Sequence, residues 1–184
     1  MDPILLIIGM ILRGMGCNMK KGFTLIEMLL YMAILSIVIL AFSSFLFLSY
    51  SSRIKATVIA DVEQQGNQTM SIVTQNIRNA QSVTSPISGI SANSLTVTEY
   101  SAPLSPTIFA QTGNKLQITE GSNSAVDISS NRVIISGLSF QNLARPSTPG
   151  IVRIQFTLNH LNPDNLGEYT YSKTFTATAS LRYP

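Results

Sequence analysis

The sequence predicts an α+β protein, a long N-terminal helix followed by an antiparallel β-sheet. Three observations carry that prediction. Residues 28–50 are 23 consecutive positions without a charge, dominated by Leu, Ile, Phe, Met and Val. Downstream of Tyr50, apolar residues recur at three- and four-residue steps as far as residue 80. The remainder is rich in Ser, Thr and Asn, and its apolar residues alternate with polar ones.

The segments follow in chain order. Residues 3–12, PILLIIGMIL, are apolar but too few to span a membrane as a helix. With Arg13 and Cys17 behind them they imitate a signal peptide, yet no basic region precedes them and a longer apolar run follows. That order points to translation starting at Met19 and to residues 1–22 as a leader. Residues 23–50 are the transmembrane half of the helix. The uncharged run alone is ~35 Å long at 1.5 Å per residue, against about 30 Å of hydrocarbon in a bilayer. It lacks the polar face of a helix in a soluble core.

Residues 51–82 form the amphipathic half. Ile54, Val58, Val62, Gly66, Thr69, Val73, Ile77 and Ala80 line one face, with Arg53, Lys55, Asp61, Glu63, Gln64, Gln68, Gln75 and Arg78 between them. No proline interrupts residues 23–81, so one helix of ~58 residues, about 87 Å long, is expected. Ser85-Pro86 and Gly89 then break it, making residues 83–92 a linker.

Residues 93–184 read as the sheet domain. Val152, Ile154, Phe156 and Leu158 alternate with Arg153, Gln155, Thr157 and Asn159. Residues 169–183 alternate more regularly still, with Tyr169, Tyr171, Phe175, Ala177, Ala179, Leu181 and Tyr183 on one side. Shorter strands are expected at 94–100, 107–111, 115–119, 132–136 and 138–142. Gly113-Asn114 marks a two-residue hairpin. The amphipathic helix half should cover the apolar face of this sheet.

The chain offers little for catalysis. Its 184 residues carry a net charge of +3, and from Phe23 onward nine basic residues face eight acidic ones. No basic cluster points to nucleic acid. The single cysteine, Cys17, precedes Phe23 and leaves the later domain neither a disulfide nor a thiolate. The only histidine, His160, reads as a loop residue between two strands and has no partner constellation. Asn162, Asp164, Asn165 and Glu168 offer oxygen ligands nearby, but EF-hand spacing is absent and Asn-Pro-Asp-Asn is ordinary turn chemistry. Asn67-Gln68-Thr69 fits a glycosylation pattern but falls inside the helix. No enzymatic activity, cofactor or metal site is expected.

Glu27 stands apart. An ionisable residue within a membrane segment is costly and usually has a partner, although near the end of a span it can also snorkel to the headgroups. Its surroundings, KKGFTLIEMLLYMAIL, resemble the cleavage and methylation motif of type IV prepilins and type II secretion pseudopilins. A basic leader ends in glycine, an aromatic residue follows, and glutamate stands fifth after the cut. Less specifically, EQQGNQTMSIVTQNIRNAQSV and the closing TFTATASLRYP resemble minor pilins and J-type pseudopilins.

The resemblance implies a pilin-like fold and a set of roles. Gly22 would precede the scissile bond, Phe23 would become the N-methylated first residue, and Glu27 would be the assembly glutamate. Lys20 and Lys21 would hold the leader at the cytoplasmic face. The implied partners are a prepilin peptidase, other pilins through the helix, and an inner-membrane assembly platform. Ser43-Ser44 stands where many major pilins have a helix proline, and the C-terminal disulfide of many major pilins is absent. Both departures favour a minor pilin or pseudopilin. Lys20 and Lys21 on one side of the span balance Arg53 and Lys55 on the other, so an extracytoplasmic sheet domain is implied by the resemblance. The competing reading is a single-pass anchored β-domain that binds a ligand or surface without polymerising.

Overall fold

The computed structural model describes residues 22–145 and 150–182. Lys20, Lys21 and Tyr183 lie outside the described residues. The chain divides into two compact units, with the break between Phe47 and Leu48.

A single helix, α1 (Leu25–Asn79), contributes to both units. Within the first unit its side chains are exposed on every side apart from a half-buried Glu27. The helix is long and apolar enough to cross a membrane. Two of its hydroxyls are satisfied internally: Ser36 Oγ donates to the Met32 carbonyl at 2.8 Å and Ser44 Oγ to the Leu40 carbonyl at 3.0 Å. Such back-bonding lets serine sit in an apolar surround without an unpaired donor. The Ser43-Ser44 pair is α-helical like its neighbours.

In the second unit α1 turns one-sided, as its sequence predicts. Val58, Val62, Gly66, Thr69, Val73 and Ile77 are buried, Ala80 beyond the helix end is also buried, and Ile54 is half-buried. The helix ends without a glycine cap. The Arg78 carbonyl, an orphan acceptor of the last turn, receives the Arg182 N–H at 3.0 Å, and the Gln81 N–H goes to the Thr98 carbonyl at 2.8 Å.

Among the described residues nine strands follow, all paired antiparallel: β1 (Ser82–Ser85), β2 (Ser91–Ala92), β3 (Ser94–Thr98), β4 (Thr107–Thr112), β5 (Lys115–Glu120), β6 (Val126–Asp127), β7 (Val133–Asn142), β8 (Ile151–His160) and β9 (Ser172–Ser180). They make two sheets rather than one. The order is β1-β3-β4-β5-β6 in the first and β2-β7-β8-β9 in the second. One core serves both: Val62, Val73 and Ile77 of α1 join Leu95, Phe109 and Leu116 of the first sheet and Phe140, Ile154, Phe156 and Phe175 of the second. The sheets are also stitched by hydrogen bonds. The Ile135 N–H donates to the Asn114 carbonyl at 2.9 Å, and the Ile135 carbonyl accepts the Gln111 side-chain amide at 3.0 Å.

Several expectations change in detail. Residues 83–92, read as a linker, contain most of β1 and all of β2. Buried Asn142 holds this stretch. Its amide donates to the Pro86 carbonyl at 2.8 Å, and its backbone exchanges hydrogen bonds with Gly89 and Ile90. The strands expected at 132–136 and 138–142 are one strand, β7. Ser136 pairs with Thr157 and Ser139 with Gln155, so Gly137 and Leu138 oppose the single residue Phe156. This is a β-bulge, with Gly137 at φ +60°. Burial passes from Val133 and Ile135 to Leu138, Phe140 and Asn142 across it, and that parity change made one strand look like two. The run expected at 169–183 is shorter: Gly167–Tyr169 is a 3-10 turn, and β9 keeps the alternation with Phe175 and Ala179 buried. The Gly113-Asn114 hairpin forms as expected, with Thr112 opposite Lys115.

Glu99, just past β3, yields a pH prediction. Burial, and then the nearby Glu120 carboxylate, raise its pKa above the ordinary glutamate value. A raised folded-state value means that ionising Glu99 opposes folding. Its stabilising contribution is complete below the unfolded-state value and is lost as pH rises through the folded-state one. Glu99→Gln is therefore expected to raise the thermal midpoint near neutral pH. The gain should vanish below about pH 4, where glutamate is protonated in either state. Thermal scans across pH check this, and a gain that persists undiminished in acid would contradict it.

Candidate processing and assembly site at the head of the helix

The head of α1 is built from four neighbouring side chains. Gly22 and Phe23 precede the helix and are exposed, Phe23 by 69%. Thr24 is the N-cap: its Oγ1 accepts the Glu27 N–H at 3.3 Å, while its carbonyl accepts the Met28 N–H at 3.2 Å. Thr-Leu-Ile-Glu is thus half of a capping box, with the glutamate at the third helical position. Placing a carboxylate in the first turn also suits the positive end of the helix dipole.

The carboxylate itself is engaged along the helix. Tyr31, one turn on, donates its hydroxyl to Glu27 Oε1 at 3.3 Å. The Tyr31 ring meets the Phe23 ring edge to face, centroids 6.2 Å apart. Phe23, Glu27 and Tyr31 therefore form one cluster at the end of an apolar helix. Thr24 and Tyr31 were not singled out from the sequence. The signals were present, in the T-x-x-E spacing and in the i, i+4 relation of Glu27 to Tyr31.

His160 and its loop lie elsewhere. His160 is the last residue of β8 rather than a loop residue, and its N–H pairs with the Tyr171 carbonyl at 3.0 Å. The strand carries one residue further because Val133 of β7 is still opposite it. Asn162 is consumed by the turn that follows. Its carbonyl oxygen accepts the Leu166 N–H at 3.0 Å, and its amide donates to the Leu166 carbonyl at 2.8 Å and to Thr170 Oγ1 at 3.1 Å.

An exposed Gly-Phe pair and a glutamate in the first turn of an apolar helix make up the head of α1. Residues 17–43 match the family model of the prokaryotic N-terminal methylation motif. The chain carries the type IV pilin and pseudopilin signature, joined to an α+β architecture of pilin type. That match covers the head of the helix and none of the β-rich domain. No curated protein and no solved structure matches the chain.

Proposed function

We propose that this protein is a structural subunit, a minor pilin or pseudopilin, of a type IV pilus-like or type II secretion-like filament. It is made as a prepilin. A prepilin peptidase hydrolyses the Gly22–Phe23 bond, and the new amine of Phe23 is methylated. Before and after processing the apolar half of α1 anchors the chain in the cytoplasmic membrane, with the β-rich domain outside the cytoplasm. Other pilins or pseudopilins and an inner-membrane assembly platform are its partners.

One observation carries the reading: the methylation motif heads a helix whose first half presents apolar side chains on every side. Such a helix suits lipid first and the helices of other subunits afterwards. Cleavage creates an amine on Phe23 at the end of an apolar helix. In a filament, Glu27 of a neighbouring subunit shifted along the axis is the group that pairs with it, and the cost of leaving either charge unpaired sets the register. The second reading, an anchored β-domain that never polymerises, has an observation of its own. Thr24 and Tyr31 give Glu27 a local role in starting the helix.

The N-terminal peptide of protein purified from its native membrane decides the processing step. The expected mass spectrum shows a chain beginning at Phe23 and heavier by one methyl group. A leader retained in cells that contain a prepilin peptidase would sink the proposal.

A further inference from the structure

The uncharged run of the helix ends at Tyr50, and at that residue a cleft begins. Within the second unit it measures about 550 Å³, with Tyr50, Arg53, Ile54 and Thr57 on the α1 side and His160 and Tyr169 opposite. The cleft is mixed in character. Ile54 and the rings of Tyr50 and Tyr169 supply apolar surface, and the His160 and Tyr169 rings lie 5.9 Å apart.

One charged group in it lacks a counterpart. Among the described residues Arg53 has no carboxylate partner. The acid that also lines the cleft, Asp61, is held by Arg132 at 3.3 Å. The cleft therefore presents the Arg53 guanidinium beside apolar walls, with the His160 ring in its lining. An amphipathic anion complements that set.

We propose that this cleft holds the headgroup of an anionic phospholipid, with Arg53 on the phosphate. Tyr50, Tyr169 and the His160 ring lie against the glycerol and upper acyl region. The assignment rests on the membrane-anchored reading above. A run of 23 uncharged residues ending at Tyr50 brings that residue to the edge of the hydrocarbon, where headgroups are found and where tyrosine and arginine side chains are favoured. The occupant is then the most abundant amphipathic anion at that depth. Its consequence is a subunit that carries one lipid at the base of its displayed domain until assembly withdraws it from the bilayer.

Native mass spectrometry of the full-length protein in detergent, titrated with phosphatidylglycerol or phosphatidylcholine, tests this. Wild type is expected to retain one phosphatidylglycerol, in preference to phosphatidylcholine by about fivefold, the factor expected of one basic residue at an anionic headgroup. Arg53→Gln should abolish the preference, and His160→Ala should weaken retention. Lys55→Gln, adjacent in sequence but not lining the cleft, should leave it intact. Unchanged thermal unfolding shows that each variant is folded. Equal retention of the two lipids, or equal losses from Arg53→Gln and Lys55→Gln, would overturn the proposal. Displacement of the lipid by millimolar inorganic phosphate would also overturn it, reassigning the cleft to a free oxyanion. Carbonate washing of membranes separates the two levels. Protein released by the wash loses the anchored reading, whereas embedded protein that retains no phosphatidylglycerol loses only the cleft.

Discussion

Glu27→Ala is expected to leave cleavage and methylation intact and to remove the subunit from filaments almost completely. The amine created on Phe23 would enter a packed apolar bundle without its counter-charge, and an ion left unpaired in such a setting costs about 3–5 kcal/mol. At 1.4 kcal/mol per factor of ten, that is a loss of more than about a hundredfold in the assembly equilibrium. The measurement is the ratio of subunit in sheared filaments to subunit in membranes. Two further variants separate the charge from the local hydrogen bonds. Glu27→Gln keeps an acceptor for Tyr31 and the N–H that Thr24 caps, but it removes the charge. Tyr31→Phe removes the hydroxyl bonded to Glu27 and keeps the ring beside Phe23. If pairing across subunits is the function, Glu27→Gln fails as completely as alanine and Tyr31→Phe assembles. Normal incorporation of Glu27→Gln would reduce Glu27 to a helix-starting residue.

The second large effect lies in the β-rich domain. Gly66 sits on the buried face of α1 against β9, where an added Cβ would fall 2.0 Å from Cζ of Phe175. That ring cannot simply move aside, because it is buried and stacked on Phe156 with centroids 5.6 Å apart. Gly66→Ala is therefore expected to destabilise the domain. The overpacking penalty of about 1–3 kcal/mol should outweigh the roughly 1 kcal/mol that alanine gains over glycine in a helix. In a Phe175→Ala background the sign should reverse. With the ring gone, the helix-propensity gain is all that remains, and Gly66→Ala becomes stabilising even though Phe175→Ala itself costs about 3–5 kcal/mol. Thermal unfolding of the four proteins closes this cycle. A stabilising Gly66→Ala in the otherwise wild-type chain would show that helix and sheet do not approach as closely as described.

Features that depend on neighbours in sequence were legible in it. The head of the helix is contiguous: a capping threonine, a first-turn glutamate and an i, i+4 tyrosine all fall within residues 24–31. The helix followed from the absence of proline and from a 3.6-residue period, and the periodic face from Val58 to Ala80 is buried. Strands with clean alternation, β8 above all, were recognisable. Where alternation slipped, as at Gly137, one strand read as two, because periodicity alone does not separate a bulge from a break. Short β1, β2 and β6 hold too few residues to establish a period at all.

By itself the sequence determined the methylation motif, the length and polarity of the helix, and the α+β class. Each of these is encoded in residues no more than a few helical turns apart, where backbone geometry alone sets the spacing. The tertiary structure decided the division into two sheets around one core, the need for glycine at position 66, and the meeting of His160 with Arg53 in a cleft. Alternation tells a strand which face to bury but not which strand to pair with. A close approach between distant segments exists only once the chain has packed.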